Sequence, residues 1–499
     1  MTELHLPWLA AATLVPLVGA LVVSRLSSFQ TARKCSLTFL AATLACTVAA
    51  WIDFILSGGD VASDRWNVFP RWLRQELFVI DPFSAPLLVL APLLYFLTAL
   101  ATLGAKVRRF SFAANLLAQS LLVAAFSCRS PWWIIAFLSL GTLPPLWDLR
   151  NRHKPMRIYV MHMTAYVVLL LLGWWMASVE VLPFEGYSAW RFAPLFLAVL
   201  IRCGMAPFHC WVTDLFEHAS FGTALVFVTP MTGVYIAVRL ILPSASHEIM
   251  HVLGIVSSAT AVYTAGMALV QHSARRFFCY ILLSHAALVL VGLQTATPIG
   301  LTASLLLWLS MGLSLAGFGL TLRALEARHG RLSLVGYHGL YEHTPMLAIC
   351  FLLTGMGSVG FPGTVGFVGA ELLVHGVIES YPYFGVAIVI AAALNGIAVV
   401  QAYFKLFTGT KYIATVPLAV RGRERFAVLT LAALIIGGGL YPQPGIASRH
   451  HAAELLLSAR RESLPSTKSA NSPSPPLHAA SPSTPGWLRT SSSAPESAP

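Results

Sequence analysis

Runs of roughly 20 apolar residues recur along most of this chain, and each is long enough to cross a bilayer as a helix. No other feature restricts the fold as strongly. Of the 499 residues, 57% are apolar and 10% charged, with a mean hydropathy of +0.73. A soluble domain carries about 25% charged residues, so two or three soluble domains are excluded. The expected fold is an all-α polytopic membrane protein, with the lipid bilayer as its first partner. The formal charge of +12 does not imply nucleic acid, because the basic residues are spread among short loops, as topology signals are. Cys35, Cys46, Cys128, Cys203, Cys210, Cys279 and Cys350 lie mostly in or beside apolar spans, with no CxxC pair. They read as small buried hydrophobes, and no metal site or disulfide framework is expected.

Apolar windows place helices at 7–26, 35–56, 80–104, 111–127, 132–147, 158–179, 190–218, 220–242, 249–270, 277–295, 299–322, 345–380, 384–408 and 425–441. The first lacks a basic leader and a clear cleavage site and is expected to be retained. The total is about fourteen crossings. Loop charges test it: Arg33 and Lys34; Lys106, Arg108 and Arg109; Arg150, Arg152, Lys154 and Arg157; Arg275 and Arg276; Arg323, Arg328 and Arg331; and Lys411, Arg421, Arg423 and Arg425 fall on one side. The opposite loops are poorer in them, and one holds Glu180 and Glu185; the loop with Arg65, Arg71 and Arg74 is the exception. The positive-inside rule then puts both termini on the outer side, in a membrane expected to be the bacterial inner one. The bias survives only if 190–218 and 345–380 each cross once.

Those two crossings are overlong and interrupted, the first by Gly204 and Pro207, the second by Gly360, Pro362, Gly363 and Gly366. Proline removes a backbone hydrogen bond and clashes with the preceding turn, and in lipid the freed groups must find protein or water. Corresponding breaks in two halves mark an ion path in secondary transporters. These breaks lie five spans apart, and an odd offset reverses direction, so two inverted five-helix repeats are expected. The expected division is N-terminal helices over 1–110, repeats over 111–242 and 243–410, a last helix over 411–447, and a Ser/Pro/Ala-rich tail over 448–499. The tail changes character most sharply after Glu462 and should be disordered.

Four stretches carry a resemblance: "RCGMAPFHCWVTDLFEHASFGTALVFVTPMTGVYIAVRL", "MALVQHSARRFFCYILLSH", "GLYEHTPMLAICFLLTGMGSVGFPGTVGFVGAELLVHG" and "IDPFSAPLLVL". In order over roughly 78–410, they resemble signatures of the antiporter-like membrane subunits of respiratory complex I (NADH:quinone oxidoreductase) and of Mrp cation/proton antiporters. The proline and glycine breaks are the most specific matches, and Asp81 in "IDPFS" the weakest. The resemblance implies fourteen helices, inverted repeats, discontinuous helices seven and twelve, and proton or cation movement along a polar axis at mid-membrane depth. It also implies other membrane subunits as partners, and similar subunits serve hydrogenases, cation antiporters and inorganic-carbon uptake complexes.

The axis implied by the resemblance uses a Glu on the fifth helix, a Lys at the seventh break, a Lys or His on the eighth, a His on the eleventh and a Lys or Glu at the twelfth break. Here those positions hold Ser139, Arg202, Met231, Met311 and Ala370. Ser139, Met231, Met311 and Ala370 are degenerate. Arg202 keeps the charge, but arginine holds its proton too tightly to relay one. Asp148, nine residues beyond Ser139, is too far along to replace the Glu. Glu371 follows Ala370, and one residue turns a helix by about 100°. The candidate proton or ion path is therefore Arg202, His209, Asp214, Glu217, His218, His285 and Glu371, with His375 and Lys405 beside it. Structural roles compete: Arg202 pairing with Asp214 or Glu217, His209 and Trp211 capping the break, Asp214 and His218 solvated at the interface, Arg275 and Arg276 as interfacial anchors.

No catalytic site, dinucleotide fingerprint or cofactor site is legible, so an oxidoreductase activity of the assembly would reside in another chain. The expected function is a proton- or cation-translocating subunit of a complex I-like or related assembly, coupled to quinone reduction or another driving reaction elsewhere. The alternatives are a non-pumping scaffold paralogue, motivated by Ser139, Met231 and Met311, and a subunit of an inorganic-carbon uptake or cation antiporter complex.

Overall fold

The computed structural model describes residues 2–64, 77–102, 110–178, 190–409 and 421–463. The loop charges at Arg65, Arg71, Arg74, Lys106, Arg108, Arg109, Glu180, Glu185 and Lys411, and the tail beyond Ser463, lie outside these. The chain is overwhelmingly helical, with one departure from the all-α expectation. Thr2–Leu4 (β1) pairs in parallel with Ala62–Asp64 (β2), which pairs antiparallel with Val79–Ile80 (β3). The pairing fixes Asp64, whose carboxylate accepts the N–H groups of Leu9 and Ala10 at 3.1 and 2.7 Å. These lie in the first turn of α1 (Trp8–Ser24), so Asp64 satisfies orphan donors as a cap residue does. Burial pushes its carboxyl up to about 6 against the pull of those two bonds.

The helices follow as α2 (Phe29–Ser57), α3 (Ala85–Leu100), α4 (Phe112–Ser127), α5 (Pro131–Leu140), α6 (Leu143–Asn151) and α7 (Arg157–Ser178). Then come α8 (Ala193–Cys203), α9 (Cys210–His218), α10 (Phe221–Val228) and α11 (Thr232–Ile236), which runs into a π-helical turn at Ala237–Ile241. The second half holds α12 (His247–Leu269), α13 (Ala274–Gln294), α14 (Pro298–His329), α15 (Pro345–Val359), α16 (Val365–Ile378), α17 (Pro382–Phe407), α18 (Gly422–Leu440) and α19 (Gln443–Ser463).

Among the described residues seven helical stretches are long and apolar enough to cross a membrane: α2, α7, α10 through the π turn, α12, α13, α14 and α17. Six shorter apolar helices stand beside them: α1, α3, α4, α8, α15 and α16. Burial sorts these. The apolar window of α13 is 94% buried and that of α2 only 28%, although both are apolar all round. A helix apolar on every face belongs inside protein or against lipid, and the tertiary fold decides which. The centre is built by α13, α14 and the α10–π segment; α2 and α7 form the rim.

Three features differ from the sequence reading. The expected fifth crossing is interrupted at Gly141–Thr142, between α5 and α6. The eighth is interrupted before α11 at Met231, whose φ of +49° is left-handed, a strained conformation for a non-glycine residue. Residues 448–463, assigned to a disordered tail, belong instead to α19, which bends by 81° from α18. Two buried arginines dock it: Arg449 donates to the Pro82 and Phe83 carbonyls at 2.6 and 3.3 Å, and Arg460 to the Leu242 carbonyl. Its low apolarity hid it from a hydropathy window.

Candidate functional site

The break between α8 and α9 is made by local chain chemistry. Gly204 ends α8 with φ of +68°, which glycine adopts at no steric cost, and Met205 N–H closes on the Leu200 carbonyl at 2.9 Å. The carbonyl of Ile201, which accepts Gly204 N–H at 3.1 Å, also accepts the indole N–H of Trp211 at 2.8 Å, and Ala206 N–H reaches Thr260 Oγ1 of α12 at 3.2 Å. Trp211 is fully buried. The break is thus internally satisfied, and Trp211 caps it. His209 begins α9 with its ring against Tyr263 and Tyr280, centroids 5.7 and 5.9 Å away.

Arg202, in the last turn of α8, is buried. Its guanidinium donates to the Phe227 carbonyl at 3.2 Å and lies 4.1 Å from the Phe227 ring and 5.5 Å from that of Trp211. Tyr159 packs on both rings, at 6.1 and 6.4 Å. Neither Asp214 nor Glu217 pairs with it. Asp214 meets His218 one turn on, at 3.1 Å; Glu217 meets Arg276 at 2.8 Å and Arg331 at 3.5 Å. Both carboxylates sit on α9 beyond the break, out of reach of the end of α8. Among the described residues no carboxylate contacts Arg202; an aromatic box and a carbonyl hold it. A cavity of about 20 Å³ adjoins it, lined by Tyr95, Phe137, Gly141, Arg202, Phe227 and Thr232. That is room for about one water, and it abuts the unforeseen interruption at Gly141.

The C-terminal end of α9 meets a network of arginines. Arg275 donates to the Phe216 carbonyl at 2.7 Å and pairs with Glu326 at 2.7 Å, and Arg331 donates to the Glu217 carbonyl at 2.9 Å. Cations there satisfy the last helix carbonyls and oppose the negative end of the helix dipole. Arg275 and Arg276 are each tied to a carboxylate, Glu326 and Glu217. A cavity of about 380 Å³ opens beside them, lined among others by Glu217, His218, Arg323, Glu326 and Glu424.

His285 lies in the middle of α13, 1% exposed, with neither ring nitrogen hydrogen-bonded among the described residues. Its neighbour Ser284 donates to the Ala261 carbonyl and accepts from Asn395 Nδ2 at 2.8 Å.

The second break, between α15 and α16, is built differently. Gly360 and Gly363 have φ of +93° and +87°, and Thr364 Oγ1 donates to the Phe361 carbonyl at 2.6 Å. A Cβ on Gly366 would lie 2.2 Å from the Gly357 carbonyl oxygen and 3.1 Å from Ser310 Oγ, so only glycine fits. Ser310 and Ser314, one turn apart on α14, turn buried hydroxyls toward this break. Ala370 faces the same way, its Cβ 3.3 Å from where a Cβ on Gly360 would be. Glu371 does not. It is on the exposed face of α16, with no hydrogen bond or ion pair among the described residues, and His375 lies one turn further on that face. The offset of one residue turns it about 100° from Ala370, and the break does not absorb the turn. The expectation that Glu371 joins Arg202 in the interior is thus corrected.

The degenerate positions are apolar or weakly polar in place. Met231 and Met311 are buried, and Ser139 keeps a buried hydroxyl without a partner among the described residues. Lys405 is half-buried near the end of α17, its carbonyl accepting His338 N–H at 2.9 Å. Sequence reasoning missed two braces. Trp308 Nε1 of α14 donates to the Pro230 carbonyl at 3.1 Å, at the Met231 interruption. Arg239 in the π turn makes a two-pronged ion pair with Asp81, at 2.6 and 3.0 Å, and donates to Tyr235 OH at 3.3 Å. The weakest sequence match, Asp81, thus pairs with the arginine that ends the strongest one.

The comparisons agree with this architecture. Residues 184–395 match the family model described as NADH:quinone oxidoreductase/Mrp antiporter, TM. The chain is 27% identical over 487 residues to NAD(P)H-quinone oxidoreductase chain 4 1 of Synechococcus sp. (strain JA-3-3Ab), covering 88% of this chain and 91% of that one. It is 24% identical to F(420)H(2) dehydrogenase subunit M of Methanosarcina mazei, covering 91% and 98%. Its fold is similar to a chain of respiratory complex I from Thermus thermophilus, with a TM-score of 0.78 at 20% identity, covering 91% and 99%. It is also similar to a chain of the Mrp complex from Dietzia sp., with a TM-score of 0.75 at 19% identity, covering 91% and 99%. With its signature segments folded into two braced breaks around a buried centre, the chain is similar in sequence over residues 184–395, and in fold over most of its length, to the antiporter-like membrane subunits of complex I and Mrp.

Proposed function

We propose that this chain is a proton- or cation-translocating membrane subunit of a complex I-like or related assembly, driven by a reaction in other subunits. The observation that carries the reading is Arg202: a guanidinium buried at a broken helix, with no carboxylate in contact among the described residues. A charge at membrane depth is costly unless it is paired or used. Arg202 holds its proton, so its part is electrostatic. It fixes the potential for a mobile proton or a bound anion while hydroxyls, water and His285 relay the charge. The 380 Å³ cavity at the inner end of α9 is the natural approach. The curated relatives named above are subunits of quinone- and F420-linked oxidoreductases, which supports a coupling reaction outside this chain.

In this reading the chain crosses the membrane fourteen times, with repeats over 111–242 and 243–410 and both termini outside a bacterial inner membrane. The short helices α1, α3 and α4, the interrupted crossings α5–α6, α8–α9 and α15–α16, and the bent α18–α19 pair, added to the seven long stretches, supply the segments for that count.

A second reading has its own observation. Ser139, Met231, Met311 and Ala370 replace four titratable positions of the resembled axis, and Glu371 turns outward. A scaffold that kept the fold and lost the relay fits those facts, as does service in an inorganic-carbon uptake or cation antiporter complex. Proton flux decides. The intact assembly, reconstituted in vesicles with a pH-sensitive dye, is expected to lose most of its flux with Arg202→Ala and with His285→Ala. Unchanged flux in both sinks the transport reading and leaves the scaffold.

A further inference from the structure

The outward face of α16 carries Phe367, Glu371, His375 and Ile378, all exposed, at spacings of four, four and three. That is one stripe on one side of a helix. The opposite side is committed. Gly369 packs on Leu307 of α14, Leu373 on Gly292 of α13, and Gly376 on Gly300 of α14. The stripe begins at the break itself, where Phe361, Pro362 and Gly363 are exposed as well.

Two independent costs fall on this surface. α16 is the outer half of a crossing interrupted at Thr364, and Glu371 sits at its middle, about 10 Å from either end at 1.5 Å per residue. A glutamate side chain is too short to reach the headgroups from there, and a carboxylate facing acyl chains is strongly disfavoured. Irregular backbone does not face lipid inside the hydrocarbon layer, yet the exposed 361–363 segment would do so. Lipid as the occupant leaves both costs standing. A protein helix removes both, provided it brings a hydrogen-bond donor to the depth of Glu371.

We propose that the Phe367–Ile378 stripe of α16 is the seat of a transmembrane helix of another subunit, which presents a lysine, arginine or histidine to Glu371. The commitment to a cationic or donating partner follows from charge complementarity: the stripe offers a carboxylate and no cation of fixed charge. His375, one turn away, is a second polar contact for the same helix. The inference rests on the reading of the chain as one subunit of an assembly. It deepens that reading by turning Glu371 from an internal relay group into an intersubunit one. It concerns assembly, not conduction, and its test is read without measuring flux.

The test uses the whole assembly in native membranes, with a photo-cross-linking residue placed at Phe367 or His375 and, as a control, at the exposed Ile52 of α2. The expected result is one discrete adduct with a single other membrane subunit from both stripe positions and none of that adduct from the control. Mapping the adduct identifies the residue opposite Glu371. Glu371→Lys then lowers the yield of intact assembly on native gels severalfold, Glu371→Gln lowers it less, and reversing the charge of the mapped residue restores the Glu371→Lys assembly. Adducts only with lipid, or only with a second copy of this chain, overturn the proposal. So does a full yield of assembly from Glu371→Lys. Loss of flux with assembly intact, as expected for Arg202→Ala, bears on the transport reading alone.

Discussion

The two breaks in this protein solve the same problem with opposite chemistry. At the first, side chains do the work. Trp211 takes the Ile201 carbonyl, Thr260 takes the Ala206 amide, and the aromatic faces of Phe227 and Trp211 hold Arg202. At the second, the absence of side chains does it. Gly366 lets α16 lie on the Gly357 carbonyl, and Gly439 of α18 meets the backbone of Gly363 and Thr364, where its Cβ would come within 2.4 Å. The first break is buried and carries a charge inward. The second is partly exposed and carries its charge outward. The repeat-like placement of the breaks does not make them equivalent. A polar side chain can brace a buried break because protein surrounds it, whereas a break at the edge relies on close backbone packing and on whatever covers it.

The largest effect that tests this contrast is at Gly366. Gly366→Val drives a side chain into the Gly357 carbonyl and should cost about 3 kcal/mol or more, read as loss of folded chain from the membrane. Gly363→Ala, with open space around its Cβ position but φ of +87°, should cost only ~1–2 kcal/mol. Equal losses from the two would show that left-handed backbone, not close packing, holds the second break.

Next comes the charge of the first break. Arg202→Ala should lower flux by roughly tenfold, about 1.4 kcal/mol of barrier, while Arg202→Lys keeps more of it, since lysine preserves the charge and can also release a proton. A lysine variant as inactive as alanine would mean that the planar guanidinium between its rings matters more than its charge. Third is the brace. Trp211→Phe leaves the Ile201 carbonyl with only the Gly204 N–H, at about 0.5–1.5 kcal/mol for the lost hydrogen bond, seen as a lower midpoint of thermal unfolding in detergent. The mirror substitution Phe361→Ala, at the exposed break, should barely move that midpoint in the isolated chain. If it moves as far as Trp211→Phe does, the two breaks share a design after all. The smallest effect is expected at Glu217, half-exposed in its pair with Arg276. Glu217→Gln should change stability by ~1 kcal/mol or less, and a large loss of flux there would make Glu217 a working group of the pathway and not a structural pair.

The legibility of these features varied for physical reasons. Both long breaks were visible because proline and glycine in an apolar run have no other easy use. The interruption at Met231 was invisible, since nothing in a methionine announces positive φ, and the one at Gly141 was masked by the apolar residues on either side. Glu371 was seen as a costly side chain, but its direction was not, because a break can add or remove rotation that no periodicity count records. Asp81 and Arg239 lie 158 residues apart, and only folding reveals that two family signatures are one ion pair.

What the sequence alone determined is the solvent and the element type: apolar runs of bilayer length, few charges, and helices broken where proline and glycine fall. These are local properties, set by transfer from water and by backbone stereochemistry. Tertiary structure decided which apolar helices are buried within the chain and which lie at its surface, which arginine has a carboxylate partner, and that Ala370 rather than Glu371 looks inward. Those outcomes depend on rotation about helix axes and on contacts between residues far apart in the chain, and neither is encoded within one turn of helix.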